Sequence, residues 1–289
     1  MNTRFSRKAL RLPVITALAA AALVLSACGG GNAGTDGGGD SGGDAPAAED
    51  TGLMTPGTLV VGMNLQYKPQ MFLEGDTPSG YDVDLLNALA DDLGVELDIQ
   101  NLDFNGLIPG LQSRQFDMVS VGLGATDERK EVIDFSRGYV PYATILGVQP
   151  GEELGTTLED YNQEGVVITA LQGSTGEQLV RDTFPNATVA GFPDQNAALL
   201  EVATGRADAV VVEDYILAEF DRSNPDQLTA LELDEPLSLY YGAWGVQKDN
   251  AALVGQLDAF LCQAQEDGTL EELYTKWMAP TMPEMPGGC

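Results

Sequence analysis

Apolar residues recur along this chain in two rhythms, one of helical and one of strand period, and the rhythm changes at turn-forming residues. Thr58 to Gly62 is an apolar run of strand length. From Tyr81 to Leu93 the positions Val83, Leu86, Leu89, Ala90 and Leu93 share one helical face, and Val95, Leu97 and Ile99 then alternate as in a strand. A helix is predicted over Asn105 to Ser113 with Pro109 early in it, then a strand over Met118 to Val121. Thr126 can cap the next helix, with carboxylates at Asp127 and Glu128 in its first turn. A second series opens with a strand at Val166 to Ala170 and a turn at Gly173-Ser174-Thr175-Gly176. It continues with a helix to Thr183, a helix from Asp194 to Thr204 stopped by Gly205, and a strand at Ala209 to Val212. The chain closes with an amphipathic helix from about Asn250 to Glu266, a break at Gly268 and a short helix from Leu270 to Met278. Strands alternating with helices predict an α/β fold, and no repeat of fixed period accompanies the alternation.

The beginning of the chain does not share that rhythm. Arg4, Arg7, Lys8 and Arg11 precede an apolar run from Val14 to Leu25 and then Leu25-Ser26-Ala27-Cys28, the order of a secretory signal peptide over residues 1–27. A run of about a dozen apolar residues is short for a membrane span. Leu-Ser-Ala-Cys also resembles a lipobox, which implies that Cys28 becomes the new N-terminus and carries a lipid holding the protein at the membrane surface. Residues 29–52 are mostly Gly, Asp, Ala and Ser, so the stretch 28–56 is expected to be the lipidated Cys and a flexible linker. The remainder of the chain is long enough for one large domain or two lobes with separate cores, and contains no further apolar stretch of membrane length. With Cys28 assigned to lipid, Cys262 and Cys289 remain in an oxidising compartment and are expected to pair. That bridge would staple the tail to a helix and contribute about 3 kcal/mol in the chain-entropy picture. Two free thiols are the alternative.

Charge and composition then remove whole classes of function. The 289 residues include 44 acidic against 14 basic side chains, a formal charge of −30, which disfavours a nucleic-acid partner by phosphate repulsion. The excess reads as a solvated acidic surface. The chain has no histidine, so Ser-His-Asp and Cys-His catalysis and His-ligated metal sites are excluded. No cofactor or metal is called for.

Gly80-Tyr81-Asp82-Val83-Asp84-Leu85, followed by Leu89, Ala90 and Leu93, resembles the signature of the bacterial extracellular solute-binding proteins for polar amino acids, family 3. Further stretches agree with that family in order. They are Phe104-Asn105-Gly106-Leu107-Ile108-Pro109, Asp117 through Thr126-Asp127-Glu128-Arg129 to Ile133-Asp134-Phe135-Ser136, Gly205-Arg206-Ala207-Asp208-Ala209, and Gly268-Thr269-Leu270. The resemblance implies a two-lobed type II periplasmic-binding-protein fold, each lobe a mixed sheet flanked by helices, joined by two hinge strands. Lobe 1 would span 57–146 and, after the return of the chain, 244–289; lobe 2 would span 147–243.

A free amino acid is a zwitterion, so a dry cleft must supply a cation for its carboxylate and an anion for its ammonium. Arg129 stands where the family places the arginine that grips the α-carboxylate, a task for which the planar guanidinium fork is suited. Thr175 matches the family position at a helix start where backbone N–H groups meet the same carboxylate, and it can also read as a plain N-cap. The family's acidic residue for the ammonium falls on Glu213, with Asp214 next to it, and either can take the role. Tyr67 and Phe104 fall where relatives sandwich the ligand side chain between aromatic faces. Two departures stand out. Gly122-Leu123-Gly124 replaces a stretch in which relatives offer a hydroxyl, leaving Gly122 and Gly124 only backbone groups, and Asn64 stands where an Asp often contacts basic side chains.

The resemblance therefore implies a binding protein without chemistry, which captures an amino acid or close analogue by closure and delivers it to the permease of an ABC importer. Two other classes remain: a secreted dehydratase-like enzyme on the same fold, which would need a general acid over its substrate, and a sensing domain for a membrane signalling partner. Glutamate, glutamine, cystine, basic amino acids and modified analogues are all open as ligand, with a strongly acidic one disfavoured unless a lysine such as Lys68 faces it.

Overall fold

A computed structural model describes residues 51–151, 154–287 and 289. The signal segment, Cys28 and the linker up to residue 50 lie outside the described residues. The first half runs β1 (Thr58–Met63), β2 (Gln66–Tyr67), β3 (Met71–Glu74), β4 (Thr77–Ser79), α1 (Tyr81–Leu93), β5 (Glu96–Asn101), α2 (Phe104–Gln112), β6 (Met118–Gly124), α3 (Asp127–Val132) and the long β7 (Ile133–Val148). Then come α4 (Leu158–Tyr161), β8 (Val167–Leu171), α5 (Thr175–Thr183), β9 (Thr188–Phe192), α6 (Gln195–Ala203), β10 (Ala209–Glu213), α7 (Asp214–Ser223), β11 (Thr229–Ala230), β12 (Ser238–Gln247), α8 (Ala251–Glu266) and α9 (Thr269–Trp277). Among the described residues no helix is long and apolar enough to cross a membrane.

One sheet carries the architecture, in the order β5-β1-β6-β12-β7-β10-β8-β9. β1 pairs in parallel with β5 and β6, and β8 pairs in parallel with β9 and β10, the signature of strand–helix–strand crossovers. Between these two parallel halves lie β12 and β7, each antiparallel to its neighbours. Three antiparallel steps from β6 to β10 leave those strands pointing in opposite directions, so their carboxyl ends face each other over the middle of β7 and β12. The register places them: Gly124 is level with Gly242, Gly242 with Val140, and Glu213 with Thr144. This is the two-lobed arrangement of a type II periplasmic-binding-protein fold with β7 and β12 as connecting strands.

Most elements fall where the apolar rhythm puts them, and α1 does so to the residue. Asn250, Asp194 and Thr126 each cap a helix by accepting from a backbone N–H. Pro109 is the sixth of nine residues in α2, not an early one, because the helix is short and starts at Phe104. The second three-stranded sheet, β2-β3-β4, was not foreseen, since Thr77-Pro78-Ser79 shows no apolar alternation. Cys262 on α8 and Cys289 come together with their Cα atoms 5.4 Å apart, inside the range that a bridge requires.

A polar network in the core centres on Asp82, fully enclosed in the first turn of α1. Its Oδ1 accepts from Gln70 Nε2 at 2.9 Å, and its Oδ2 accepts from Ser120 Oγ at 2.7 Å and Tyr139 Oη at 2.5 Å. Trp244 Nε1 donates to Ser120 Oγ at 2.9 Å, and Tyr142 Oη donates to Gln70 Oε1 at 2.6 Å. One carboxylate thus ties α1 to β6, β7 and β12. Burial outweighs these hydrogen bonds and raises its pKa to about 6 from an ordinary 3.8.

The native state therefore holds this proton more tightly than the unfolded chain does. Its contribution to stability is unopposed below pH 3.8 and falls as pH rises, until the carboxyl is ionised in both states above about 6. Asp82→Asn removes that dependence. In urea unfolding, the stability difference between the wild type and Asp82→Asn should shift against the wild type by about 2 kcal/mol between pH 4 and pH 7. A difference independent of pH would mean that the native and unfolded states hold this proton equally tightly.

Candidate functional site

Ligands of α/β sheets sit outside the carboxyl ends of parallel strands, where the chain turns into loops and helix starts. Here both parallel halves direct those ends to one cavity. Tyr67 follows β1, Phe104 opens α2 after β5, and Gly122 and Gly124 end β6 with Arg129 just beyond on α3. From the opposite side come Leu171, Ser174 and Thr175 after β8, Gln195 after β9, and Glu213 and Tyr215 at the end of β10. Tyr142 of β7 and Tyr240 of β12 form the floor.

Arg129 is set by its own helix. Thr126 accepts from Arg129 N at 3.3 Å to cap α3, and the side chain folds back so that Nη1 donates to the Gly124 carbonyl at 3.0 Å. Nη2 reaches across the cleft to the Gly173 carbonyl at 3.1 Å, and the guanidinium carbon lies 5.9 Å from the centre of the Phe104 ring. Burial lowers its pKa, while Tyr240 and Glu128 act the other way; a guanidinium remains a cation in such surroundings. Facing it is the start of α5, capped by Ser174, which accepts from Glu177 N at 3.1 Å. Thr175 is therefore the first helical residue and not the cap, and first-turn N–H groups have no intrahelical acceptor. A cation and a helix N-terminus meet, which is the chemistry of an anion site.

Glu213 supplies the opposite charge. Its Oε1 accepts from Tyr240 Oη at 2.8 Å, and Tyr240 is also hydrogen-bonded to Thr175. Burial raises the Glu213 carboxyl, with the Tyr240 bond opposing the rise. Asp214 is exposed, does not line the cavity, and accepts from Tyr215 N at 2.8 Å in the first turn of α7. Of the two neighbouring acids only Glu213 faces the cleft. Asn64 is also outside: its Nδ2 donates to the Leu102 carbonyl at 2.6 Å and its Oδ1 accepts from Gln66 Nε2. Lys68 is turned away as well, paired with Glu219 at 3.5 Å.

Aromatic rings make most of the wall. Tyr142 stacks on Tyr215 with ring centres 5.7 Å apart and meets Tyr240 at 5.1 Å. Sequence reading placed Tyr67 and Phe104 but missed Tyr142, Tyr215, Tyr240 and Gln195. The adjacency of Tyr215 to Glu213 was the one usable signal, since α7 begins at the end of β10. The cavity measures about 40 Å³, because the two sides are already in contact across it. Gln195 N donates to Gln66 Oε1 at 3.0 Å, and Asn105 Nδ2 lies 3.5 Å from Gln172 Oε1.

The two glycines of β6 are spatial requirements. Gly122 has φ +61°, and a Cβ there would overlap the Tyr142 hydroxyl; one at Gly124 would stand 3.0 Å from Thr175 Cγ2. Gly122 N donates to Tyr139 Oη at 2.9 Å, so the backbone lining the cleft rests on the Asp82 network.

Known proteins share this organisation. The family described as "Bacterial extracellular solute-binding proteins, family 3" matches residues 59–280. The "Arginine-binding extracellular protein ArtP" of Bacillus subtilis (strain 168) is 28% identical over 258 residues, 88% of this chain and 92% of the relative. The "Probable histidine-binding protein" of Neisseria gonorrhoeae is 30% identical over 273 residues, 92% of this chain and 95% of the relative. Among solved structures, the ancestral amino acid-binding protein AncCDT-1, a precursor of cyclohexadienyl dehydratase, superposes with a TM-score of 0.70 at 31% identity, covering 77% of this chain and 96% of its own.

Gly122→Ala should cost at least about 2 kcal/mol, from left-handed strain together with the clash at Tyr142. A lowered urea midpoint with unchanged slope is the expected result. An unchanged midpoint would show that Tyr142 can leave the floor of the cleft freely.

Proposed function

The chain belongs to the bacterial extracellular solute-binding proteins of family 3, and from that premise we propose that it captures a free α-amino acid between its two lobes and presents it to an ABC importer. The observation that carries the reading is the pairing of Arg129 and the α5 start on one side of a cavity with Glu213 on the other. The ligand carboxylate takes the guanidinium fork and the free N–H groups of α5, and the ammonium takes Glu213. Each buried charge is then compensated by the ligand, and the ligand's by the protein.

Closure supplies the signal to the transporter. Arg129 belongs to the half of the sheet that includes β6, while Glu213 and α5 belong to the half that includes β10 and β8, so a bound zwitterion bridges the two. Binding energy that exists only when both halves engage shifts the population to the closed form. On this reading lobe 1 is 57–146 with 244–289 and lobe 2 is 147–243, with β7 and β12 bending between them. No chemical step is assigned to the site. The protein would act outside the cytoplasmic membrane, released from the signal peptide 1–27, held by a lipid on Cys28 and spaced from the surface by the linker. A disulfide between Cys262 and Cys289 would fasten the end of the chain to α8, consistent with their 5.4 Å Cα separation.

Thermal unfolding against the twenty amino acids and a set of small carboxylic acids tests the reading. A ligand at a hundred times its Kd should stabilise the protein by about 2.7 kcal/mol, visible as a raised midpoint. Arg129→Ala and Glu213→Gln should each abolish the rise. A response to carboxylic acids lacking an amino group, retained in Glu213→Gln, would overturn the assignment of the ammonium subsite.

A further inference from the structure

Two residues that line the cavity each keep a buried polar atom without a hydrogen bond within the protein: the Tyr67 hydroxyl and Nε2 of Gln195. Both side chains are more than nine-tenths buried, Tyr67 at 6% and Gln195 at 3% exposure. Such groups are rare in folded proteins, because a buried donor without an acceptor is costly. Their neighbours explain neither. Gln195 is the first residue of α6, and its backbone N–H is bonded to Gln66 while its side-chain amide is left at the cavity. Tyr67, on the two-residue strand β2 of the separate three-stranded sheet, arrives from the β1 side of the cleft. Asp194, next to Gln195, acts on the Tyr67 phenol together with Glu213, after burial itself.

The charge of the site narrows what can meet them. The lining contains one cation, Arg129, and one acid, Glu213, and a bound α-amino acid uses both with its own head group. A second charge on the ligand would then have no partner in the cavity. A carboxylate would also face the field of Asp194 and Glu213. A guanidinium or ammonium would find no second carboxylate to pair with in the lining. An aliphatic side chain would leave both atoms unpaired.

We propose that Gln195 and Tyr67 select the ligand's side chain, and that this side chain is uncharged and ends in a hydrogen-bond acceptor, such as a carboxamide or ureido carbonyl that receives Gln195 Nε2 and the Tyr67 hydroxyl together. The assignment rests on the amino-acid-receptor reading, since it begins from a head group already held by Arg129 and Glu213. Both residues are specificity-determining through direct contact. They also come from opposite sides of the cleft, so the bond to the side chain closes only when the cleft closes.

Isothermal titration of the full-length protein separates this proposal from the reading beneath it. The probes are glutamine against glutamate and norleucine, and citrulline against arginine, pairs matched in size and differing at the side-chain end. Glutamine and citrulline should bind at least about tenfold more tightly than their charged or apolar counterparts, the effect of one unpaired buried donor. Tyr67→Phe and Gln195→Leu should shrink the ratio of glutamine to norleucine affinity towards one, which a purely structural defect would leave in place. Gln195→Glu, an acid in the first turn of a helix and so compatible with α6, should reverse the preference so that arginine exceeds citrulline. Norleucine binding as tightly as glutamine in the wild type, or arginine more tightly than citrulline, would overturn the specificity while leaving the amino-acid receptor intact. No binding by any amino acid would remove both.

Discussion

A single carboxylate beneath the cleft organises this protein. Asp82 is enclosed on all sides, and a buried acid is tolerated only when its oxygens are occupied. Its three donors come from the loop between β2 and β3, from β6 and from β7, and the second bond on Ser120 comes from Trp244 of β12. Those three strands are the ones that meet at the centre of the sheet, so the condition that satisfies Asp82 also sets their mutual register. The consequence reaches the site through two further bonds. Tyr139 receives Gly122 N, and Tyr142 is held by Gln70. The backbone that lines one side of the cleft and the ring that forms its floor are both positioned by the same buried group.

That arrangement explains how the β6 side of the cleft can be lined with glycine and a tyrosine ring. Gly122 lets Tyr142 approach the β6 backbone more closely than any Cβ would permit, and Gly124 leaves room for Thr175 from the opposite half. The space beside these glycines is filled by Tyr142, stacked on Tyr215 and tilted against Tyr240. Stacked rings lose little rotamer entropy on ordering and present broad apolar faces with polar tips, which suits a site that must be dry yet make a few directed hydrogen bonds.

The sequence disclosed the parts of this site that lie next to regular punctuation. Arg129 follows a capping Thr, Thr175 follows a Gly-Ser turn, and Glu213 closes an apolar strand, so each sits at a boundary visible in the pattern of residues. Residues inside long strands were invisible for a physical reason. Tyr142 and Tyr240 sit on β7 and β12, where period-two alternation says only which face a residue takes and not how far along the strand the lobes change partner. Gln195 lies inside the helix expected over Asp194 to Thr204, whose pattern shows nothing that sets it apart from other polar residues. Asp82 resembled any acid in a first helical turn, a setting in which carboxylates usually stay solvated. Nothing in the local sequence reveals that α1 is driven into the core at that end. The two neighbouring acids at the end of β10 illustrate the same limit. Their spacing left both in play, and the turn from strand to helix separates them, aiming Glu213 inward and Asp214 at solvent.

The contacts that hold the cleft shut are of a kind that cannot keep it so unaided. Lys68 and Glu219 form a half-exposed pair at 3.5 Å, and Asn105 meets Gln172 at the same long distance; such contacts contribute roughly 0–1 kcal/mol each. The strongest link across the cleft is Arg129, bonded at once to Gly124 on its own side and Gly173 on the other. The carbonyl of Gly173 is a neutral acceptor, and exchanging it for a carboxylate converts an ordinary hydrogen bond into a charge-assisted one about twice as strong. A protein whose latch is also its ligand grip needs no separate mechanism for sensing occupancy. The gain on exchanging carbonyl for carboxylate is available only to a ligand that also reaches the far side, so the preference for the closed form and the preference for the right head group are the same free energy.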